Sequence, residues 1–433
     1  MGRKTGEKMR EKIKIVHTIT KLELGGAQTT TLYTLNNLPD DDYEKHLVCG
    51  SGGFLTAEAN SSMKYKTHIN PYLKREISFP GEKKLLAMMP YWFNIILDLI
   101  LGIMTPVRDL LAYKDMIEYF SKLRPDIVHS HSSKAGIISR WAAKKAGVPI
   151  IIHTFHGFGF TPLQPFFIRW FLRWLEQKAA KKSTKLIFVS HANKEEAKRE
   201  GIGTQEQYQV IRSGIDIDLF RKNKDNRAIR RMPLDEVEPV RLTETDKIVG
   251  NISCFKPQKA LPDYIEACRK LKEKDKKGNY KFVLVGDGKL RLKLEKLVKK
   301  SGLADCFIMT GWRTDIEKIL PGFDVMLHTS RYEGLSKVFL QAMAAGVPIV
   351  ATDVDGASDV IKHGETGFLV KPEDTDAMAE YTYRLLEDDE LRKRIADKEG
   401  SRLSEEFDLK VMTEKHDELY RKLIEKYRFR REI

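Results

Sequence analysis

Short runs rich in valine and isoleucine alternate with helix-like stretches along most of this chain of 433 residues. In the first half these runs lie at 13–19, 46–50, 126–129, 149–154 and 185–190, and in the second half at 247–253, 281–286, 323–330 and 347–353. Apolar strands separated by helices are typical of parallel sheets that helices cover on both faces. The two series therefore predict an α/β protein with two doubly wound domains in tandem.

The domain boundaries follow from the stretches that lack this pattern. Residues 221–246 are charged, contain two prolines and show no sustained apolar period, which is typical of a linker or a surface loop. Near the end of the chain, apolar residues at helical spacing among charges predict an amphipathic helix. The predicted organisation is an N-terminal Rossmann-like domain over 1–220, a linker over 221–246, a C-terminal Rossmann-like domain over 247–405 and a helix over 406–433 that packs back on the first domain.

Composition narrows the class of protein further. Hydrophobic residues make up 42% of the chain, which is enough to build sizeable cores and argues against intrinsic disorder. The cysteines are scattered, with no CxxC pair and no Cys/His cluster, so we expect neither a disulfide framework nor a metal site. A reducing compartment, the cytoplasm, is the corresponding expectation. The four cysteines are Cys49, Cys254, Cys268 and Cys306.

Positive charge is in excess and unevenly distributed. The formal net charge is +14, and residues 1–220 hold 32 basic against 22 acidic residues. This excess predicts an acidic partner for the first half. A basic nucleic-acid-binding protein is one alternative, but the sequence shows no recognised binding module and no basic cluster interleaved with aromatic residues.

The longest apolar stretch, residues 85–107, approaches the length of a membrane span. Pro90, Asn94 and Asp98 interrupt it, and each is costly at bilayer depth. With the basic residues around it, the region 83–114 predicts an in-plane segment on an anionic membrane surface. An extra packed helix or an oligomer contact is the alternative. The first residues of the chain lack the apolar core of a signal peptide.

Two glycine turns follow predicted strands and precede helices. Gly25 and Gly26 form the first, and Gly286 and Gly288 form the second. Such turns let a diphosphate approach backbone N–H groups at the positive end of a helix, although a purely structural turn fits the residues as well. The chain has no Walker A sequence and no full GxGxxG, so phosphate-transfer ATPases and ordinary dinucleotide dehydrogenases lose support. In parallel sheets, ligands bind beyond the carboxyl ends of the strands, and two such sheets predict a cleft between them.

The most informative stretch is SRYEGLSKVFLQAMAAG, residues 330–346. Glu333 and Gly334 end a loop, and Leu335–Ala345 is predicted to be helical, so the N–H groups from Leu335 through Ser336 to Val338 form an anion site. Gln341 would lie about 12 Å along the helix from Glu333, close to the separation of a hexose from the ribose of a sugar nucleotide.

Together these segments resemble the family-4 retaining glycosyltransferases of the GT-B fold. That family has Glu, seven residues and Glu where this chain has Glu333 and Gln341, followed by a small-residue helix and GVPIVA. The resemblance covers residues 13–405. It is also carried by GGAQ at 25–28, RPDIVHSHSSKAG at 124–136, HTFHGFGF at 153–160, IFVSHA at 187–192, SGIDIDLF at 213–220, FKPQK at 255–259, GDG at 286–288 and GETGFLV at 364–370.

The resemblance implies a role for individual residues. Lys259 takes the place of the phosphate-binding lysine, His156 that of a histidine that contacts the transferred sugar, and Glu333 that of the residue that binds sugar hydroxyls. It also implies that Gln341 lies at the ribose and Trp312 at the base, with Gly25 and Gly26 beneath the diphosphate. The histidines at the other strand ends, His129, His131 and His153, are expected to be structural.

Two positions depart from the family pattern. An arginine of the family, five residues before the lysine, falls on Cys254, which carries no positive charge. The second acidic residue is Gln341, which still hydrogen-bonds a diol but brings no charge. Candidates for a second cation on the diphosphate are Lys256, Arg313 and Arg331.

The function implied is transfer of a sugar from a nucleotide-diphosphate donor, of the UDP type, to a hydroxyl acceptor with retention of configuration. The sequence predicts no cofactor and no metal, a sugar or lipid-linked acceptor, and a cytoplasmic enzyme or one peripheral to the inner face of the cell membrane. Such enzymes build cell-surface polysaccharide or glycolipid. A nucleotide-sugar epimerase on the same architecture is the rival enzyme, because a fold does not fix a reaction.

Overall fold

The computed structural model describes residues 11–74, 106–161, 164–225 and 242–432. The chain forms two compact units. The first contains the chain up to Val189, then Lys194–Ile211, and the chain from Thr413 onward. The second contains Ser190–Asn193 and Arg212–Met412.

The first unit is built on a sheet of seven parallel strands in the order β3-β2-β1-β4-β5-β6-β7. Its central strands are buried on both faces, as their apolar sequences require. β1 and β4 are neighbours, and His17 lies opposite His129 in their register. The strands are β1 Ile13–Ile19, β2 Tyr43–Gly50, β3 Lys66–Asn70, β4 Ile127–His131, β5 Ile150–Phe155, β6 Lys185–Phe188 and β7 Tyr208–Val210.

The second unit has a sheet of six parallel strands in the order β10-β9-β8-β11-β12-β13. Its first and fourth strands, β8 and β11, are neighbours, as β1 and β4 are in the first sheet. This is the strand order at which the direction of winding reverses and at which doubly wound proteins bind ligands. The strands are β8 Lys247–Ile252, β9 Tyr280–Val285, β10 Phe307–Met309, β11 Val325–His328, β12 Ile349–Thr352 and β13 Phe368–Val370.

Helices connect these parallel strands. In chain order they are α1 Gly26–Asn37, α2 Thr56–Ser61, α3 Pro106–Leu123, α4 Ser133–Lys145, α5 Phe166–Ala180, α6 His191–Arg199, α7 Ile217–Lys222, α8 Leu261–Lys274, α9 Arg291–Lys300, α10 Ile316–Ile319, α11 Lys337–Ala345, α12 Thr375–Glu387, α13 Asp389–Arg402 and α14 Leu409–Glu432. The predicted α/β class with two doubly wound sheets is confirmed.

The nine predicted strands all form, and the four that the sequence did not indicate are the edges of the two sheets: β3, β7, β10 and β13. Three of them are only three residues long, and β3 reads KTHIN with little apolar content. An edge strand has one neighbour and less surface to bury, so its sequence carries a weak pattern.

The predicted first domain ends at residue 220, whereas this stretch of the first unit ends at Ile211. Residues from Arg212 onward belong to the second unit, because the Ile215 N–H donates to the Phe407 carbonyl (2.8 Å) and the Leu409 N–H donates to the Ile215 carbonyl (3.0 Å). These backbone bonds join segments that are far apart in sequence, and nothing local announces them. The final helix starts at Leu409, and from Thr413 it belongs to the first unit.

Most of the predicted membrane segment, 83–114, lies outside the described residues. Its last part forms the start of α3, where the apolar side chains of Val107 and Leu110 are 71% and 50% exposed. Within the described residues, the structure contains no helix with the length and apolar character needed to cross a membrane.

Candidate active site

Two loops of the second unit come together because β8 and β11 are adjacent. The loop after β8 ends in a short 3-10 turn, Pro257–Lys259, and the loop after β11 carries Glu333. Gln258 joins them: its side-chain Nε2 donates to the Tyr332 carbonyl (2.9 Å), and its carbonyl accepts from the Arg331 N–H (2.8 Å). Ala260, next to Lys259, has a left-handed backbone with φ of 45°, an uncommon conformation for alanine.

The structure brings Lys259 and Glu333, two of the predicted site residues, into direct contact. The Lys259 Nζ donates to Glu333 Oε1, and the Ser330 hydroxyl donates to the same oxygen at 2.7 Å. The two side chains are only 14% and 10% exposed. A buried ion pair of this kind holds both groups in fixed positions.

The pair keeps both groups charged. Burial by itself would lower the pKa of Lys259, but the Glu333 carboxylate outweighs it and the pKa is raised. Burial would likewise raise the pKa of Glu333, but the Lys259 ammonium outweighs it and the pKa is lowered. Around neutral pH the site therefore contains a fixed cation beside a fixed anion.

His328, at the end of β11, lines the same site and was not singled out from the sequence. It is 1% exposed, and its Nε2 lies 3.8 Å from Glu333 Oε1. Neither ring nitrogen has a hydrogen-bond partner among the described residues. Burial and the nearby Lys259 lower the pKa of His328 to about 3, so the ring is neutral. Only its position at a strand end could have drawn attention to it.

The glycine turn after β9 approaches the Lys259 loop through its backbone. A Cβ on Gly286 would lie 2.0 Å from the Ser253 carbonyl oxygen, and one on Gly288 would lie 2.8 Å from that of Phe255. Both glycines have positive φ, at 128° and 155°. Close packing of two backbones thus accounts for these glycines, and the described residues give no separate indication of a phosphate contact there.

The predicted start of the helix after Glu333 is wrong. α11 begins at Lys337 instead of Leu335, so Gly334, Leu335 and Ser336 belong to the loop and the spacing of about 12 Å to Gln341 does not apply. Ser336 is the N-cap of α11, but its side chain makes no capping hydrogen bond to the first turn. Gly334 packs so closely that a Cβ on Gly356 would lie 2.2 Å from its carbonyl oxygen.

Lys337 is a cation that sequence reasoning missed. It opens α11, where the helix dipole disfavours positive charge, and burial lowers its pKa to about 8. Two of the three expected second cations are held by carboxylates: Arg313 by Asp315 (2.7 Å) and Arg331 by Asp263 (2.8 Å). Lys256, the third, precedes the 3-10 turn. Gln341 is half-buried, and Trp312 is 40% exposed beside Gly311.

The remaining predicted site residues, Gly25, Gly26 and His156, belong to the first unit. Gly25 is the N-cap of α1, with extended backbone that any residue adopts, and α1 begins at Gly26 without a side-chain cap. His156 follows the last residue of β5, and its Nε2 lies 3.1 Å from His131 Nδ1.

That contact is the outer end of a buried chain of hydrogen bonds. Behind His131, His17 Nδ1 lies 3.0 Å from His131 Nε2. The Tyr420 hydroxyl, on α14, lies 3.4 Å from His17 Nε2 and 2.6 Å from His129 Nδ1. If every ring is neutral, all of these bonds can be formed in either of two directions, and the direction decides which nitrogen of His156 bears its proton.

Three of these histidines, His17, His129 and His131, place ring nitrogens within 4.8 Å of one another, a grouping that the sequence did not indicate. Burial lowers the pKa of His17 to about 3 and those of His129 and His131 well below the usual value. Both nitrogens of His129 already have partners, since its Nε2 lies 2.7 Å from the Thr154 hydroxyl. Hydrogen bonding therefore accounts for the cluster, as expected for structural histidines.

Two family models match consecutive parts of the chain. The model described as Glycosyltransferase Family 4 matches residues 24–219, and the model described as Glycosyl transferases group 1 matches residues 235–401. They divide at residues 219–235, between the two sheets described above.

Relatives match over most of their length. The chain is 29% identical over 378 residues to the UDP-Gal:alpha-D-GlcNAc-diphosphoundecaprenol alpha-1,3-galactosyltransferase of Escherichia coli, covering 87% of this chain and 89% of that protein. It is 28% identical over 320 residues to the N-acetyl-alpha-D-glucosaminyl L-malate synthase of Bacillus anthracis, covering 73% and 79%.

Solved structures share the fold. HepE of Anabaena, crystallised with UDP and glucose, superposes with a TM-score of 0.73 at 19% identity, covering 94% of this chain and 99% of HepE. The matched families, the relatives and the fold agree: this chain belongs to the group 1, family 4 glycosyltransferases and has the GT-B fold.

Proposed function

We propose that this glycosyltransferase moves a sugar from a UDP-sugar to a hydroxyl of a sugar or lipid-linked acceptor, with retention of anomeric configuration, in the synthesis of cell-surface polysaccharide or glycolipid. The observation that carries the proposal is the buried pair of Lys259 and Glu333 where β8 and β11 adjoin. It combines a cation suited to a diphosphate with a carboxylate suited to sugar hydroxyls.

Lys259 stabilises the leaving group in this proposal. As the bond from the anomeric carbon to the donor oxygen breaks, negative charge grows on the diphosphate, and a fixed ammonium nearby lowers the energy of that state. Because Glu333 and the loop contacts of Gln258 hold Lys259 before any donor binds, little reorganisation is needed. Lys337 at the start of α11 offers the additional positive charge that Cys254 does not supply.

Glu333 orients the sugar. Its carboxylate accepts from Lys259 and Ser330 and retains further lone pairs for hydroxyl groups of the donor sugar. The neutral His328 beside it adds a polar group without adding charge. In this arrangement Gln341 would hydrogen-bond the ribose and Trp312 would lie by the base. The enzyme positions its substrates and needs neither a metal nor a cofactor in this scheme.

The comparisons support the choice of donor and acceptor. The Escherichia coli relative is named for UDP-galactose and an undecaprenol-linked acceptor, and HepE was solved with UDP and glucose. A lipid-linked acceptor also suits the excess of positive charge in residues 1–220. We therefore propose a cytoplasmic enzyme that works at the inner face of the membrane.

Activity measurements on matched variants test the site. At saturating UDP-sugar, Lys259→Met and Glu333→Gln should each lower kcat by roughly 10²- to 10³-fold, the usual effect of removing one charge-stabilising contact. Lys272→Met is the control, because Lys272 pairs with Asp305 on the surface of the same unit. Unchanged kcat in both site variants contradicts the assignment.

The product identifies the reaction. A retaining transferase given UDP-sugar and acceptor should form an α-linked product from an α-linked donor, and chelating agents should leave its rate unchanged. NMR of the anomeric proton reports the linkage. Conversion of the donor sugar to its epimer without acceptor would point to an epimerase instead.

A further inference from the structure

Helix α5 leaves a row of aromatic side chains facing solvent. The five rings belong to Phe166, Phe167, Trp170, Phe171 and Trp174. Because residues three or four apart lie on one helical face, all five rings lie on one side of the helix. Monomeric soluble proteins rarely expose such a contiguous apolar surface without a partner for it. The exposed fractions are 81% for Phe166, 63% for Phe167, 50% for Trp170, 38% for Phe171 and 40% for Trp174.

The opposite face of α5 fixes the helix in place. Glu176 is 1% exposed and accepts a hydrogen bond of 2.5 Å from the buried Arg140. Arg169 and Arg173 both pair with Glu200, at 3.6 and 3.1 Å. These contacts commit one side of α5 to the protein interior, so the aromatic rings cannot turn inward without breaking a buried ion pair.

Lysines follow the aromatic row at the end of α5. Lys178 lies on the same face, four residues after Trp174, with its Nζ 5.6 Å from the centroid of that ring. Lys182 Nζ lies 4.1 Å from the ring centroid of Trp141, which is itself 38% exposed. Within the described residues none of the lysines of this region forms an ion pair: Lys144, Lys145, Lys178, Lys181 and Lys182.

We propose that this aromatic-lysine face, formed by the five rings of α5, Trp141 and those five lysines, docks on an anionic lipid bilayer. Tryptophan and phenylalanine side chains insert at the boundary between headgroups and acyl chains. Lysine side chains near an acidic lipid surface are attracted to it electrostatically. A second copy of the chain fits less well, because it would bring the same lysines towards one another.

This face lies outside the predicted segment 83–114 and gives the first unit a membrane contact made of described residues. The membrane proposal rests on the proposed function, because a lipid-linked acceptor would place the enzyme at a membrane. The docking itself, however, requires no sugar transfer. Binding to vesicles and transfer to a soluble acceptor can therefore fail independently.

Vesicle flotation tests the proposal with the full chain. The protein should float with vesicles of phosphatidylglycerol and phosphatidylcholine in equal parts, and its tryptophan emission should shift to shorter wavelength. Trp170→Ser combined with Trp174→Ser should reduce the bound fraction about tenfold. Lys178→Glu combined with Lys181→Glu should reduce it by a similar factor and weaken its dependence on salt.

The controls lie on α9 of the second unit. Leu292→Ser removes a side chain that is 74% exposed, and Lys299→Glu combined with Lys300→Glu alters two exposed lysines at a helix end. Both should bind like the unaltered protein. Equal binding by the α5 variants overturns the proposal, as does a failure of the unaltered protein to bind.

Two further measurements separate the remaining outcomes. Transfer to a water-soluble acceptor should be unchanged in the Trp170/Trp174 variant, which shows that its fold and active site are intact. Light scattering should give a monomer for both proteins. A dimer that this variant converts to a monomer would mean that a second copy covers the face, and the membrane proposal would be wrong.

Discussion

The two sheets share one order over their first six strands but place different chemistry where their first and fourth strands meet. In the first sheet, β1 and β4 enclose His17 and His129, which are buried, neutral and linked through the hydroxyl of Tyr420. In the second sheet, the loops after β8 and β11 hold the charged pair of Lys259 and Glu333.

The difference shows that the strand order determines where in the sheet a site lies, whereas the side chains at that position determine its chemistry. The neutral chain in the first unit satisfies its polar atoms internally, with both nitrogens of His129 engaged. The ion pair in the second unit keeps its charges, which in the proposed function a diphosphate and a sugar would engage. A site that hydrogen-bonds only to itself is structural or orients a neighbour, whereas a site that retains charge is suited to bind a charged ligand.

The largest expected difference between the two units is in their stability at acidic pH. The unfolded histidine takes up a proton near pH 6.5, but the folded His17 does so only near pH 3, so between these values the unfolded state binds more protons. The free energy of unfolding of the first unit should therefore fall as the pH falls below 6.5. The pKa values of His129, His131 and His153 are lowered in the same direction.

In the second unit, His328 acts in this direction too, and the lowered pKa of Glu333 adds a loss of stability only below about pH 4.5. Pulsed hydrogen exchange after equilibration at pH 7 and pH 5, with a common labelling pH, compares peptides from β4 and β11. We expect β4 to lose protection first. Simultaneous loss would mean that the histidine chain does not distinguish the units.

Breaking the ion pair should have the next largest effect. Lys259→Met leaves the Glu333 carboxylate buried without its cation, which typically costs about 3 to 5 kcal/mol. Adding Glu333→Gln removes that charge and should restore much of the loss. The exposed pair of Lys272 and Asp305 serves for comparison, and Lys272→Met should cost less than about 1 kcal/mol. Urea unfolding followed through the second unit measures all three.

Removing one hydroxyl from the neutral chain should have the smallest effect. Tyr420→Phe keeps the ring but leaves His129 Nδ1 and His17 Nε2 without that partner, at a cost of about 1 to 3 kcal/mol. Tyr72→Phe, at a ring that is 38% exposed, should change the free energy of unfolding by less than about 0.5 kcal/mol. Equal urea midpoints for the two variants would argue against a closed chain.

The sequence predicted what is local or strongly patterned. The nine interior strands carry runs of apolar residues. Lys259 and Glu333 each lie in a short contiguous motif that can be recognised in the sequence. The predicted start of α11 was too early because Leu335 is a strong helix former, whereas Ser336 takes extended backbone at the N-cap and Gly334 packs against Gly356.

Other features depend on contacts between distant residues. His17 and His129 are 112 positions apart and meet only because β1 and β4 pair, and Tyr420 reaches them from α14. The neutral state of His328 and the lowered pKa of Lys337 come from burial, which no single stretch of sequence records. A cluster of this kind becomes visible only when the strand order is known.

The first unit closes on a side chain that the ribosome delivers only after the whole second unit. Its sheet is complete by β7, yet the hydroxyl that joins His17 to His129 belongs to Tyr420, and all of the second unit is made in between. The nascent first unit must therefore wait with an unfinished core while the second unit emerges and folds. Premature termination after Met412, where the second unit ends, should yield a chain whose second unit is native and whose first unit is a target for proteases and chaperones.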